Sequence, residues 1–380
     1  MIYLDNSATS YPKPECVIES MHEAMIKYGA NIGRGSYKMA IETSEQVYNC
    51  RKNVSEFFNL PKVENVIFTN NCTTALNMAI KGIARKGCHF IVSDLEHNAV
   101  VRPLEKLKQS GICDYSVAKI EGDSYKTLKN FESKIKKNTI AIICTGASNV
   151  FGIIPPYKMI ANLAHKNQKM FILDYSQIAG IVPLDIKNSN IDIVCCSGHK
   201  GLLGPTGTGL LMINNDCVMN TIIEGGTGSN SWDLKQPTDY PDRFESGTQN
   251  IVGIIGLSKA IEYLNNFKPF EVYNHEMKLL KYLYSSLKCF NSFTFYTNLF
   301  NTKKFYAPIV SLNVKNMHSE EVAEKLAADN IAVRAGFHCA PLAHKSFNTQ
   351  DKGTVRISPS IFNEKNDIDL LINSLRKIAN

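Results

Sequence analysis

The segment Ile191-Asp-Ile-Val-Cys-Cys-Ser-Gly-His-Lys200 is an apolar run that closes on a lysine. Such a run reads as a strand buried on both faces, and α/β sheets build their sites at the carboxyl ends of such strands. A lysine placed there loses solvation, its pKa falls, and its amine becomes a nucleophile or a Schiff-base partner. Upstream, Lys169-Met-Phe-Ile-Leu-Asp174 is a second apolar run that closes on an acid, with Gln177 shortly after it. A carboxylate for a pyridinium nitrogen and an amine for an aldehyde, on consecutive strand ends, are what pyridoxal phosphate requires. Taken alone, Lys200 would be a solvated surface lysine and Asp174 a helix cap, as most charged residues are solvated. The rest of the chain reverses that balance.

Other stretches carry residue types suited to a ligand. Asn70-Asn-Cys-Thr-Thr-Ala-Leu-Asn77 follows an apolar run and opens a helical pattern. Backbone amides at a helix start, with hydroxyls beside them, suit a phosphate; without a ligand the same stretch is a plain turn. Val333-Arg-Ala-Gly-Phe-His-Cys-Ala-Pro341 places Cys339 in a loop marked by Gly336 and Pro341. A lone cysteine is usually a small buried hydrophobe. Here Arg334 and His338 are expected to add positive charge that favours the thiolate. Arg356 offers a guanidinium that can grip both oxygens of a carboxylate, its simpler alternative being a strand-edge salt bridge. His97 reads as a loop histidine, and Arg243-Phe-Glu-Ser-Gly-Thr-Gln-Asn250 as a polar loop.

The elements that must position these groups follow an α/β pattern. Strands are expected at 65–69, 89–93, 139–144, 170–174, 191–195 and 209–213, with helices at 74–84 and 156–166 between them. The run at 209–213 follows Lys200 too closely for a helical crossover, so one antiparallel strand is expected in an otherwise parallel sheet. Beyond 251 the pattern changes: a helix at 251–265, a strand at 307–313, a helix at 319–329 capped by Ser319, a strand at 353–358 and a terminal helix. This reads as a second, smaller α+β domain.

Size and composition agree. The chain has 380 residues, long for one core, with 44% hydrophobic and 20% charged residues and a mild net charge of +7. The basic runs at 134–137 and at Lys303-Lys304 read as solvated faces, and no basic stripe interleaved with aromatics suggests nucleic acid. The start of the chain does not resemble a signal peptide, and no apolar run reaches the ~20 residues that span a bilayer. Eleven cysteines without a Cys-x-x-Cys pair argue against a metal site and for reduced thiols in a cytoplasmic protein.

With these landmarks in this order, from Tyr3-Leu-Asp-Asn-Ser-Ala-Thr9 to Val355-Arg-Ile-Ser358, the chain resembles the cysteine desulfurase and selenocysteine lyase family of the class V aminotransferase fold. The resemblance implies a pyridoxal-phosphate transferase of fold type I: a large cofactor-binding domain at 15–257, with a mostly parallel mixed sheet between helices. A small α+β domain, formed by 1–14 and 258–380, would carry the cysteine loop and the carboxylate-binding arginine. It makes Lys200 the Schiff-base lysine, Asp174 the partner of the pyridine nitrogen, Gln177 the partner of the phenolic oxygen, and His97 the residue that stacks on the ring and serves in proton transfer. Phosphate ligands would be the Cys72 amide, Thr73, Ser197 and His199. The family motif matched at 243–250 implies that Thr248 reaches the phosphate of a second protomer, hence a homodimer. Arg356, Asn149 and Arg334 would hold the substrate, and Cys339 would take its sulfur as a persulfide.

The implied reaction is conversion of L-cysteine to L-alanine, with sulfur passed to an acceptor protein. Its alternatives are selenocysteine lyase, another class V aminotransferase or lyase, and a non-catalytic sulfur-transfer partner. The short loop around Cys339 resembles the Suf-type branch. Two features depart from the family: the stretch 225–242, with Trp232, does not match that branch, and Asn71 and Thr74 stand where Gly and Glu are commonest.

Overall fold

A computed structural model of the chain describes every residue except Arg34, Asp216, Thr302, Lys303 and Asn380. Of the Lys303-Lys304 pair, Lys303 therefore lies outside the described residues. In chain order the first elements are β1 (Ile2–Tyr3), α1 (Glu15–Lys27), α2 (Lys38–Phe57), β2 (Val66–Thr69), α3 (Cys72–Ile83), β3 (Cys88–Ser93) and α4 (Asn98–Gln109). Next come β4 (Cys113–Ala118), α5 (Ser124–Glu132), β5 (Thr139–Thr145), α6 (Tyr157–Lys166), β6 (Met170–Asp174), β7 (Ile193–Ser197) and β8 (Gly209–Ile213). The chain then forms α7 (Ile251–Leu264), α8 (Glu271–Leu287), β9 (Phe293–Phe295), β10 (Val310–Val314), α9 (Ser319–Ala328), β11 (Ile331–Ala332), α10 (Pro341–Ser346), β12 (Val355–Ile357) and α11 (Lys365–Ala379).

Seven strands form the main sheet in the order β2-β8-β7-β6-β5-β3-β4, with β8 antiparallel to both neighbours and the others parallel. This is the mixed sheet expected from the sequence. Its residues alternate between two cores because successive side chains of a strand point to opposite faces. Phe68, Ile91, Ile142, Phe171 and Val194 pack with α2, α6 and α7 on one face. Ile67, Phe90, Ile143, Ile172 and Ile193 pack with α3 and α4 on the other. Both faces are thus apolar, which explains why these strands read as near-continuous hydrophobic runs.

A third core joins α8, α9 and α11 to the antiparallel sheet β12-β10-β9, and Leu4 from the amino terminus belongs to it. The strand β1 pairs parallel with β11. The division expected at 257/258 falls inside α7, whose Ala260, Ile261 and Leu264 pack in the first core. Ser319 does not cap α9; it is the helix's first residue, and its hydroxyl donates to the Lys352 carbonyl at 2.7 Å. Among the described residues no helix is long and apolar enough to cross a membrane.

Candidate active site

The central strand β6 ends in Asp174, and its neighbour β7 ends in Ser197, three residues before Lys200. Their carboxyl ends form the floor of a cavity of about 210 Å³. Asp174 is buried; the Ser176 amide and the Cys72 thiol donate to its Oδ1 at 3.0 and 3.7 Å. Lys200 stands at the cavity wall, and its burial lowers its pKa against the opposing pull of Asp174. Gln177 is buried too and donates to the Ser7 carbonyl at 3.4 Å.

Helix α3 starts at the cavity, with Cys72 and Thr73 as its first residues. Asn71 caps it: its side chain accepts from the Thr74 amide at 2.9 Å and from the Thr74 hydroxyl at 3.2 Å. The two unusual residues of this stretch thus serve each other, and Cys72 and Thr73, which lie between them, line the cavity. His199 is held neutral, its pKa pushed down to about 4 by burial, then by Lys200 and Lys13.

His97 caps α4, its Nδ1 accepting from the Ala99 amide at 3.0 Å, which leaves the proton on Nε2. Burial pushes its pKa down to about 4. A neutral ring in this position suits stacking on an aromatic cofactor better than donating a proton as a cation. The preceding Glu96 is fully buried, accepts from Ser93 Oγ and from the Thr145 amide, and is pushed up to about 8 by burial. It ties the end of β3 to the end of β5 beneath the cavity.

The carboxyl-terminal elements contribute the rest of the wall. Arg356, on β12, is buried; its Nη2 pairs with Asp5 at 2.5 Å and its Nη1 donates to the Asn149 carbonyl at 3.0 Å. Arg334, exposed, is joined to Arg356 by an antiparallel bridge of their backbones. Cys339 is exposed at the cavity mouth. Its loop is pinned through two carbonyls: Asn149 Nδ2 donates to that of His338 at 2.6 Å, and the Asn98 amide to that of Cys339 at 2.8 Å. Both His338 (φ 48°) and Cys339 (φ 56°) are left-handed, a conformation costly for side-chain-bearing residues and concentrated at functional sites.

One expectation fails here. His338 is buried, with Nε2 donating to the Thr354 carbonyl at 3.0 Å, and burial and Arg356 push its pKa far down. It is a neutral ring and brings no positive charge to Cys339.

Lys200, Cys339, His97, Cys72, Thr73, Asp174, Gln177, Ser197, His199, Asn149, Arg334 and Arg356 all line this one cavity. Thr248 does not. It is exposed on another part of the surface, within reach of Asn31 at 3.4 Å. Its loop is fixed from below by Glu245, which forms a buried two-point ion pair with Arg51 at 2.8 and 2.9 Å and accepts from the Phe68 amide. Ser7, Thr145, Ala147 and Ser176 also line the cavity and escaped notice as small residues without a pattern. For Ser176 the signal was its place two residues after Asp174.

The model of the aminotransferase class-V family matches residues 2–371. The chain belongs to this family. Class V members are generally pyridoxal-phosphate enzymes. Among its relatives, a probable cysteine desulfurase of Methanothermobacter thermautotrophicus is 32% identical over 385 residues, covering 100% of this chain and 94% of the relative. Another, from Borreliella burgdorferi, is 32% identical over 392 residues, covering 100% and 92%. The apo structure of a cysteine desulfurase from Thermococcus onnurineus superposes with a TM-score of 0.91 at 31% identity, covering 100% of this chain and 94% of that one. A cysteine desulfurase from Escherichia coli, whose structure carries an S-sulfonic acid, gives 0.87 at 25% identity, covering 99% and 94%.

Proposed function

We propose that this class V protein is a pyridoxal-phosphate-dependent cysteine desulfurase, which converts L-cysteine to L-alanine and takes the sulfur onto Cys339 as a persulfide. The observation that carries the reading is the placement of an exposed cysteine at the mouth of the cavity that also holds Lys200, Asp174 and Arg356. An aminotransferase has no use for a thiol there.

The residues fit the cofactor. Five buried polar atoms on residues lining the cavity lack a protein partner: Asn149 Oδ1, Ser176 Oγ, His199 Nδ1, His338 Nδ1 and Arg356 Nε. Buried polar groups are almost always paired, so a cluster of orphans around one cavity marks a ligand. Asp174 would hold the ring nitrogen, Gln177 the phenolic oxygen and His97 the ring face. The Cys72 amide, Thr73, Ser197 and His199 would hold the phosphate. When bound, the cofactor supplies an electron sink for the substrate's α-carbon.

The chain's own residues supply the remainder. Arg356 and Asn149 hold the substrate carboxylate, with Arg334 adding charge at the mouth. Lys200, its pKa lowered by burial, gives up its proton more readily than an ordinary lysine, and its amine takes the α-proton. The Cys339 thiolate attacks the substrate sulfur: an S–S bond forms, the C–S bond breaks, and its electron pair stays on the β-carbon, which takes a proton. Lys200 returns its proton to the α-carbon, alanine leaves, and the persulfide passes its outer sulfur to the thiol of an acceptor protein.

We also propose a homodimer in which Thr248 completes the partner's phosphate site. Its exposure, and the exposed apolar residues Met25, Ile26, Tyr37, Met39 and Ile41 on the helices α1 and α2 and their connection, support this. Work in a reducing cytoplasm fits the chain's eleven cysteines, none of which is in a disulfide among the described residues.

The test is alanine release from the cofactor-loaded enzyme with L-cysteine and L-selenocysteine, in wild type and Cys339→Ala. Alanine from L-cysteine that requires both dithiothreitol and Cys339 supports the reading. Activity on L-selenocysteine alone that survives Cys339→Ala makes the enzyme a lyase, and no alanine from either substrate sinks both.

A further inference from the structure

The carbonyl oxygen of His199, one peptide before Lys200, is surrounded by donors from the amino-terminal segment. It accepts from the Ser10 amide at 3.0 Å, Thr9 Oγ1 at 3.1 Å, Ser10 Oγ at 3.2 Å and Lys13 Nζ at 3.0 Å. A carbonyl oxygen has two lone pairs, so four donors saturate it, and an ammonium is the strongest of them. Lys13 also donates to Ser10 Oγ at 2.7 Å, which turns the hydroxyl hydrogen towards the same carbonyl. Both partners of Lys13 are neutral oxygens, although burial pushes its pKa down to about 8. A half-buried ammonium must offset its lost hydration with hydrogen bonds, and both that Lys13 makes converge on this one peptide oxygen and the hydroxyl beside it.

The peptide in question leads into the turn that bears Lys200. Within it the Leu203 amide donates to the Lys200 carbonyl and the Gly204 amide to the Gly198 carbonyl, both at 2.8 Å. The same amino-terminal segment also holds the substrate end of the cavity. Asp5 pairs with Arg356, and the Ser7 amide donates to Ser358 Oγ at 2.9 Å. Residues 5–13 therefore form one strip that joins Arg356 to the peptide carrying Lys200.

We propose that Lys13 is a positioning residue for Lys200: its ammonium, acting through the His199 carbonyl, fixes the turn at 198–203 and so the point from which the Lys200 amine works. The assignment rests on Lys200 being the Schiff-base lysine of the proposed function.

The experiment uses the full chain loaded with pyridoxal 5'-phosphate, as wild type, Lys13→Met and Lys13→Arg. Amide hydrogen exchange is followed in the 197–203 peptide and in a reference peptide from α7, and the cofactor's absorbance is titrated with pH. Lys13→Met is expected to speed exchange across 198–203 by about tenfold while α7 is unchanged, from the loss of one charged hydrogen bond. Removing the cation also raises the pH at which the absorbance titrates, and Lys13→Arg restores both readouts. Should Lys13→Met not fold, Ser10→Ala, which loses one donor, is expected to speed exchange in the same peptide by about threefold. Unchanged exchange and titration in Lys13→Met, or in Ser10→Ala where it replaces it, overturns the proposal. So does faster exchange everywhere, α7 included, because that marks a general structural role. Both readouts are taken without substrate, so they stand apart from the alanine assay, whose failure in wild type would strike the proposed function instead.

Discussion

The floor of the cavity and the loop that carries Cys339 are built by opposite means. The floor is the end of a parallel sheet, with Asp174 and Ser197 closing strands whose residues are buried on both faces. Its groups are crowded by partners, and burial sets their protonation: His97 and His199 are driven neutral, and Lys200 is driven towards its free amine. The loop has a left-handed pair of residues, an exposed thiol, and two carbonyl anchors above a small apolar cluster of Leu95, Val150, Phe151, Ala340 and Ala343. The two cysteines at the cavity divide the same way. Cys72 is buried, its thiol donating to Asp174 and pushed well above its ordinary pKa, whereas Cys339 faces solvent. Proton chemistry at a bound cofactor needs atoms fixed to fractions of an ångström, which a sheet end provides. In the proposed function the sulfur leaves for another protein, and that needs a thiol that solvent and partners can reach.

The largest expected effects separate these two regions. Lys200→Ala removes the amine proposed to take the α-proton, and alanine formation should fall by at least about a thousandfold. Borohydride should then fix no cofactor to the chain. Cys339→Ala should lower alanine formation from L-cysteine on the order of a hundredfold, yet leave covalent cofactor attachment and thermal midpoint near wild type. If Cys339→Ala also lost the cofactor, the loop would be part of the floor and the contrast would collapse.

The floor was far more legible in the sequence than the loop's surroundings. Strands buried on both faces announce themselves as apolar runs, and β6 and β8 have the bounds expected for them. The run at 191–195 is displaced to Ile193–Ser197, because Asp192 is used at the strand's start to accept from the Phe171 amide and from His165. The edge strand β4 was missed: only its first and last residues are buried, so it has no apolar run. The two-residue strands β1 and β11 are too short for any pattern. Around Cys339, sequence supplied the residue types but not their charge. His338 is neutral because the fold buries it against Thr354 and Arg356, a tertiary fact that spacing along the chain does not encode.

A smaller effect tests whether burial governs protonation in the floor. Glu96 has its pKa raised from 4.5 to about 8 in the folded protein, chiefly by burial. Between those values the folded state holds a proton that the unfolded state has released. Its contribution to stability is therefore complete below about pH 4.5 and lost as pH rises through about 8. Glu96→Gln mimics the protonated form, since one side-chain oxygen can still accept from Ser93 and the Thr145 amide. Thermal midpoints taken from pH 5 to 8.5 should fall less steeply for Glu96→Gln than for wild type. Parallel profiles would mean that Glu96 is ionised under the sheet end and that the floor is wetter than its burial implies.

The smallest effect concerns the unusual start of α3. Asn71 has an extended backbone and holds the Thr74 amide through its side chain, so its loss should cost what a helix cap is worth. Asn71→Ala should lower stability by about 1 kcal/mol, and Asn71→Gly by only a few tenths, as read from denaturant midpoints. Because Cys72 and Thr73 follow directly, the same variants report on the proposed phosphate site. The amides at a helix start are set by the backbone of the first turn rather than by the cap's side chain. Asn71→Gly should therefore retain cofactor affinity within about twofold. A tenfold loss would show that the cap itself shapes the phosphate cradle, and that even the floor depends on one side chain on its exposed rim.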